Sequence, residues 1–264
     1  MYSANHYLFA SSVQEAVQEL QKSPSNRIIA GGTWLRMCPI RIGTLIDLSR
    51  LELNKIESVN GEIHIGAMTL LRDVETSQLL REACGGVLPA SVKDIVGVQF
   101  RNSATVGAGV YSVFGFSDPL CSLLAMDADV VLAIAGRMKL AEYLSIVRTR
   151  KKRDILLEIL VKPDGCTGSW QTFRQTATDY SVLNLCAVKT ADNKFRIAIG
   201  SRPAKAVRCV EAEQYLEQGD VAQAMDAVTK LRYGSNLRGS ASYRQVLAKV
   251  LLEDAMKELE VNAR

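Results

Sequence analysis

The stretch between residues 97 and 119, GVQFRNSATVGAGVYSVFGFSDP, constrains the fold more than any other part of the chain. Gly97, Gly107, Gly109 and Gly115 interrupt every regular pattern, yet valines and phenylalanines are interleaved with them. The segment is too apolar for a linker and too rich in glycine for a regular element. It reads as an ordered, buried loop held against something. A chain of 264 residues, 48% hydrophobic and 23% charged, has enough material for the scaffold such a loop needs, in one large domain or two modest ones.

The flanking patterns are mixed. Residues 11–22 place Val13, Ala16, Val17 and Leu20 on one helical stripe behind a capping Ser12. Strand-like runs follow at 27–30, 45–49 and 62–67, then helical patterns at 69–82 and 87–96. A helix is expected over 120–127 and a strand over 128–135. The runs 169–177, 182–189 and 194–200 suggest an antiparallel sheet. Helical patterns close the chain at 206–217, 221–231 and 240–260, the last with Tyr243, Leu247, Val250, Leu251 and Met256 on one side. This order argues for an α+β protein with a boundary near 163–168, at KPDGCTG.

Several function classes drop out. No run approaches the roughly 18 apolar residues of a membrane helix. The N-terminal MYSANHYLF lacks a basic run followed by an apolar block, so a cytoplasmic protein without a signal sequence is expected. A net charge of +4 is too mild to point to nucleic acid. None of the six cysteines forms a CxxC, against a zinc ribbon, a thioredoxin motif or a local iron–sulfur cluster. The expectation is dispersed, buried thiols without a disulfide. With His6 and His64 the only histidines and no GxSxG, a serine-hydrolase triad has little to stand on.

Two glycine loops carry the chemistry. In the first, Ala30-Gly31-Gly32-Thr33-Trp34-Leu35 follows a short strand, and paired glycines let backbone N–H groups turn to an anion without an intervening Cβ. The same residues also suit a strand-ending turn. The second, Thr105-Val106-Gly107-Ala108-Gly109, has GxG but Ser112 in place of a third glycine, and neither a clean strand before it nor a clear helix after it. That is a poor dinucleotide fingerprint, although Asp127 and Asp129 lie about 20 residues on. A diphosphate held between both loops accounts for the pair better than either loop alone. Asp118 either caps the helix beginning at Pro119 or accepts from sugar or ribityl hydroxyls. The basic run RTRKKR (148–153) reads as a solvated loop or as a contact for a partner or an anionic acceptor.

Taken in order, RIIAGGTWL, QFRNSATVGAGV, SDPLCSLLAMDADV, IAIGSRPAKAVR and LRGSASYRQVLAKVL resemble the FAD-binding (medium) subunit of the molybdopterin hydroxylases, the xanthine dehydrogenase-like and carbon monoxide dehydrogenase-like proteins. The resemblance covers nearly the whole chain. It implies a two-part FAD-binding domain of the vanillyl-alcohol-oxidase (PCMH) type over 1–165, with sub-parts of about 1–55 and 56–165. A C-terminal α+β domain over 166–264, an antiparallel sheet with helices, would follow. The cofactor implied is FAD. Carried over position by position, the resemblance nominates Ile29, Ala30, Gly31, Gly32, Thr33, Trp34 and Leu35 in the first loop, and Thr105, Gly107, Ala108 and Gly109 in the second. Ser117 and Asp118 would lie near the sugar hydroxyls, and Leu156, Asp179 and Tyr180 beside the flavin ring. Tyr180 also reads simply as a strand aromatic. No acid or base catalyst and no metal ligand is nominated. The implied partners are a molybdopterin-binding large subunit and a 2Fe-2S small subunit, with NAD among the acceptors.

Three positions depart from the family pattern. The second loop has Ala108 and Gly109 where the family has glycine and asparagine, and Trp34 stands where many members have a small residue. If position 108 needs a left-handed backbone, alanine is strained there by about 1 kcal/mol or more. That leaves two other readings open: a scaffold subunit that has lost flavin, and a stand-alone flavoprotein reductase.

Overall fold

The computed structural model describes residues 1–147, 149 and 153–262. The first part of the chain forms β1 (Ser3–Phe9), α1 (Val13–Lys22), β2 (Arg27–Ile29) and β3 (Arg41–Asp47), with the three strands in a parallel sheet of order β1-β3-β2. Helix α1 starts where the sequence indicates: the Ser12 hydroxyl accepts from the Glu15 N–H at 3.1 Å, and Ala16 and Leu20 are buried. Its end is closed from a distance, because the Arg153 guanidinium donates to the carbonyls of Leu20, Ser23 and Asn26. The other basic residues of the 148–153 run, Arg148, Arg150, Lys151 and Lys152, lie outside the described residues.

The middle of the chain runs through β4 (Ile56–Val59), β5 (Glu62–Gly66), α2 (Leu71–Thr76), α3 (Gln78–Glu82), α4 (Val87–Lys93), α5 (Val98–Arg101), α6 (Val106–Tyr111) and α7 (Asp118–Ala125). It continues as β6 (Asp129–Leu132), β7 (Gly136–Lys139), α8 (Leu140–Ile146) and β8 (Leu156–Val161). The strands make an antiparallel sheet of order β4-β5-β8-β6-β7. Last come β9 (Thr167–Phe173), β10 (Leu183–Lys189), β11 (Phe195–Gly200) and β12 (Val207–Arg208), antiparallel in the order β12-β11-β10-β9, with α9 (Val210–Glu217) and α11 (Ala241–Asn262) packed on them and α10 (Val221–Thr229) packed on those two helices.

All eight residues of α7 are buried, and the helix packs on α4, α6, β10 and β11. It is the hub of the largest core cluster, which runs from Ile63 in β5 through Leu120, Leu123 and Ile159 to Cys186 and Ala198 in the last sheet. One apolar core therefore crosses the 163–168 region rather than stopping at it.

Several sequence expectations are corrected. The helical run 69–82 is two helices, because Ser77 is extended (φ −62°, ψ 121°) and its hydroxyl caps the second one. The glycine-rich segment holds α5 and α6 rather than an irregular loop. Strand 128–135 stops at Leu132 and returns as a hairpin through left-handed Gly136. On α11 the buried stripe is Arg244, Leu247, Ala248, Leu251, Leu252, Ala255 and Leu259, with Tyr243 and Val250 exposed. The buried face is rotated because a charged side chain lies on it.

The cysteines are also corrected: Cys84 and Cys166 form a disulfide. A turn with left-handed Cys84, Gly85 and Gly86 presses against Gly168, where a Cβ on Gly85 would lie 3.0 Å from the Gly168 backbone. That close approach leaves the two cysteine Cα atoms 4.6 Å apart. Cys121, Cys186 and Cys209 are buried thiols, as expected.

Two outcomes follow from the fold. Cys84→Ser is expected to cost about 4.5 kcal/mol, the loop-closure value for a bridge spanning 82 residues, read as a lower urea midpoint that reductant reproduces in the unmutated chain. On the outer face of the five-stranded sheet, hydrogen bonds from Arg137 lower the Glu62 carboxyl from its usual 4.5 to about 2. Its contribution is complete above the unfolded value and is lost as pH falls through about 2. Melting temperature should therefore fall more steeply below about pH 4.5 in the unmutated chain than in Glu62→Gln.

Candidate functional site

The first glycine loop leaves β2 at Ile29 and enters a short turn of 3-10 helix at Leu35–Met37. Gly31 is required there by contact, because a Cβ would lie 1.6 Å from the Ser103 carbonyl oxygen. Gly32 is required by conformation (φ +65°). Among the described residues the N–H groups of Gly31, Gly32 and Thr33 donate to no partner, which leaves three consecutive donors on a partly exposed loop. Because Gly31 touches Ser103, this loop sits directly against the lead-in to the second.

The second loop is the start of α6. The Thr105 hydroxyl caps it by accepting from the Ala108 N–H at 3.3 Å. The Val106 and Gly107 N–H groups donate to Thr69 and Ala67 carbonyls, both at 3.0 Å. A Cβ on Gly107 would lie 2.3 Å from the Ala67 oxygen, so glycine allows this seam. The Ala67 N–H in turn donates to the Leu157 carbonyl at 2.8 Å, which ties the loop to β8 beside buried Leu156. The first amides of the second loop are thus spent inside the protein. Ala108 lies within the helix with its side chain exposed and is not among the residues with positive φ. The strain considered for alanine at this position does not arise.

Ser117, not Asp118, occupies the N-cap of α7, and its hydroxyl donates to the Gly109 carbonyl at 2.9 Å. Asp118 is the first helical residue, and its carboxylate is turned into the interior. It accepts from Ser181 Oγ at 2.7 Å, from the Asn184 amide and from the Arg174 guanidinium. Burial pushes its pKa up, while Arg174, Ser181 and Asn184 pull the other way. Three donors converge on it, the surroundings of a carboxylate.

Arg174 carries the connection outward. Its second nitrogen donates to the Asp179 carbonyl at 2.7 Å. Asp179 binds Arg238 with both oxygens (2.7–3.1 Å), and this holds its carboxyl below the usual range. Tyr180, the next residue, is 38% exposed, enough to present its ring to a neighbouring cleft. Fully buried Arg244 fixes the segment opposite, donating to the carbonyls of Val182, Gly234 and Gly239 and to the Asn236 side chain.

These pieces enclose a cleft of about 380 Å³ lined by Trp34, Phe116, Tyr180, Ser181, Asn236 and Arg238, among others. Trp34 packs on Phe114 and Phe116 (ring centroids 4.9 and 5.4 Å), and Phe116 on Tyr180 (4.4 Å). Of the residues nominated from sequence, Trp34 and Tyr180 line this cleft and Asp179 adjoins it. Thr105, Gly107, Asp118 and Leu156 are buried beneath. Phe116, Arg174 and Asn236 were not nominated; they belong to no motif, and only the RGS group around Arg238 gave a signal.

Residues 2–162 match the family model for the FAD binding domain in molybdopterin dehydrogenase, and residues 169–259 match that for the CO dehydrogenase flavoprotein C-terminal domain. The chain belongs to this family of FAD-binding oxidoreductase components, and its cofactor is FAD. Among its relatives, the glyceraldehyde dehydrogenase medium chain of Sulfolobus acidocaldarius is 25% identical over 96% of this chain and 97% of the relative. The xanthine dehydrogenase FAD-binding subunit of Escherichia coli O157:H7 is 24% identical over 98% and 97%. The fold matches the solved carbon monoxide dehydrogenase from Hydrogenophaga pseudoflava with a TM-score of 0.84, at 24% identity and 96% coverage of both chains. No helix among the described residues is long and apolar enough to cross a membrane.

The two loops differ in what they tolerate. Gly31→Ala should destabilise the fold by about 2 kcal/mol or more, since its methyl meets backbone that must move. Ala108→Gly, at an exposed helical position, should cost only about 1 kcal/mol. Urea midpoints of the two variants measure the contrast.

Proposed function

We propose that this chain is the FAD-binding medium subunit of a molybdenum hydroxylase. In this reading it takes electrons from 2Fe-2S clusters on a small partner subunit, themselves fed by a molybdopterin-binding large subunit, and delivers them to an acceptor such as NAD. The observation that carries the reading is the run of three unspent N–H donors at Gly31–Thr33, opening beside a cleft walled by aromatic rings. An unspent run of backbone amides suits a pyrophosphate, and an aromatic cleft with a few polar groups suits a planar ring, so these residues fit FAD.

Ile29 and Ala30 bring the chain to the donors, Gly31 and Gly32 expose them, and Thr33, Trp34 and Leu35 complete the pyrophosphate loop. Thr105, Gly107, Ala108 and Gly109 form the floor, with Ser117 and Asp118 bracing it from behind. Leu156, Asp179 and Tyr180 border the ring. Bound flavin supplies one- and two-electron chemistry. The chain's own residues bind, orient and shield, and none is asked to move a proton. The division into 1–165 and 166–264 belongs to the same proposal: the first part carries both glycine loops, and the second supplies Tyr180 and Arg238. A helical, unstrained Ala108 removes the argument for a scaffold that has lost flavin.

The test is purification of the untagged chain from its own host. The expected result is a yellow complex absorbing at about 450 nm, with a large molybdenum subunit and a small iron–sulfur subunit and with NAD reduced when substrate is supplied. A colourless chain that stays colourless with added FAD overturns the cofactor site. A yellow chain with no partner subunits overturns the assembly and leaves a stand-alone reductase.

A further inference from the structure

Tyr180 is an exposed aromatic at the mouth of a cleft, a position in which a tyrosine ordinarily swings between rotamers. Here its hydroxyl makes no hydrogen bond among the described residues. Its ring is held instead by two side chains from different parts of the chain. Phe116 packs on it at 4.4 Å between centroids with the planes 46° apart, and the Arg238 guanidinium carbon lies 5.0 Å from its centroid. Both neighbours are themselves fixed. Phe116 stacks on Phe114 (4.9 Å, 10°) and touches Trp34 of the first glycine loop. Arg238 is gripped by both oxygens of Asp179, whose carboxylate also accepts from the Tyr180 N–H at 2.8 Å.

We propose that Phe116 and Arg238 are positioning residues that hold the Tyr180 ring as a fixed wall of the flavin cleft. The inference rests on the flavin reading of that cleft. Phe116 holds the ring through packing and Arg238 through its place over the ring and its fork to Asp179; both also line the cleft, so the double variant below separates positioning from direct contact. A pre-oriented ring stacks on a planar cofactor without first losing rotamer freedom, and it quenches the cofactor's fluorescence.

The experiment uses the full chain saturated with FAD and reads three quantities: flavin bound per chain, fluorescence of the bound flavin relative to free FAD, and its midpoint potential. Phe116→Leu removes the ring but keeps apolar bulk, and Arg238→Lys keeps the charge but loses the two-pronged grip on Asp179. Both are expected to raise bound-flavin fluorescence at least twofold and to move the potential in the same direction as Tyr180→Ala. Phe116→Tyr, which returns a ring to that position, restores the quenching. Phe116→Leu combined with Tyr180→Ala changes nothing beyond Tyr180→Ala alone, because a positioning residue has nothing left to position. The proposal is overturned if both single variants bind FAD with unchanged fluorescence and potential, or if their effects add to that of Tyr180→Ala. Failure of the unmutated chain to bind FAD overturns the flavin reading itself. Melting curves of the variants separate these outcomes from unfolding.

Discussion

The structure hangs on one buried carboxylate. Asp118 begins the central helix α7, and among the described residues its side-chain oxygens take donors only from the last sheet and its connecting loop: Arg174, Ser181 and Asn184. A charge in that position is tolerable only if it is paired and fully hydrogen-bonded. The requirement works in both directions. The sheet of the second half must come to α7, and once there it can shift little without stranding an ion. The apolar core that crosses the same junction supplies most of the burial, but it is non-directional. The ion pair supplies the register.

From that point order spreads to the cleft through Arg174 to the Asp179 carbonyl, and from Asp179 to Arg238. Fully buried Arg244 pins the 234–239 segment by its carbonyls. The walls of the cleft are thus set by charge-assisted hydrogen bonds to backbone, which are strongly directional. The two glycine loops are set by close approaches of backbone to backbone, Gly31 on Ser103 and Gly107 on Ala67. A rigid scaffold with a row of unspent amides on one rim suits a protein whose task is to hold a cofactor rather than to act on a bond.

Much of this was legible in the residues. Helix α1 announced itself by a capping serine and an apolar stripe, the first loop by its glycine pair, and the last sheet by three strand-like runs. What escaped depends on distant partners. Helix α5 is too short to show a period, α6 is short and rich in small residues, and Ser77 breaks a stripe that continues in sequence on either side. Asp118 reads either as a cap, because Asp-Pro commonly is one, or as an acceptor for ligand hydroxyls; an arginine 56 residues away turns it inward. The buried face of α11 differs from the apolar side read from its sequence because it includes Arg244, whose guanidinium meets four acceptors. No spacing rule pairs Cys84 with Cys166. Only the Gly85–Gly168 approach does.

That bridge gives the molecule a topology of its own. Residues 84 to 166 form a covalent ring that contains α6, Phe116 and α7, while the first glycine loop and the Tyr180–Arg238 pair belong to the two tails leaving it. The cleft is where the tails meet over the ring. Any widening of it is therefore a motion of tails against a closed hoop, with the hoop's circumference fixed by chemistry rather than by folding.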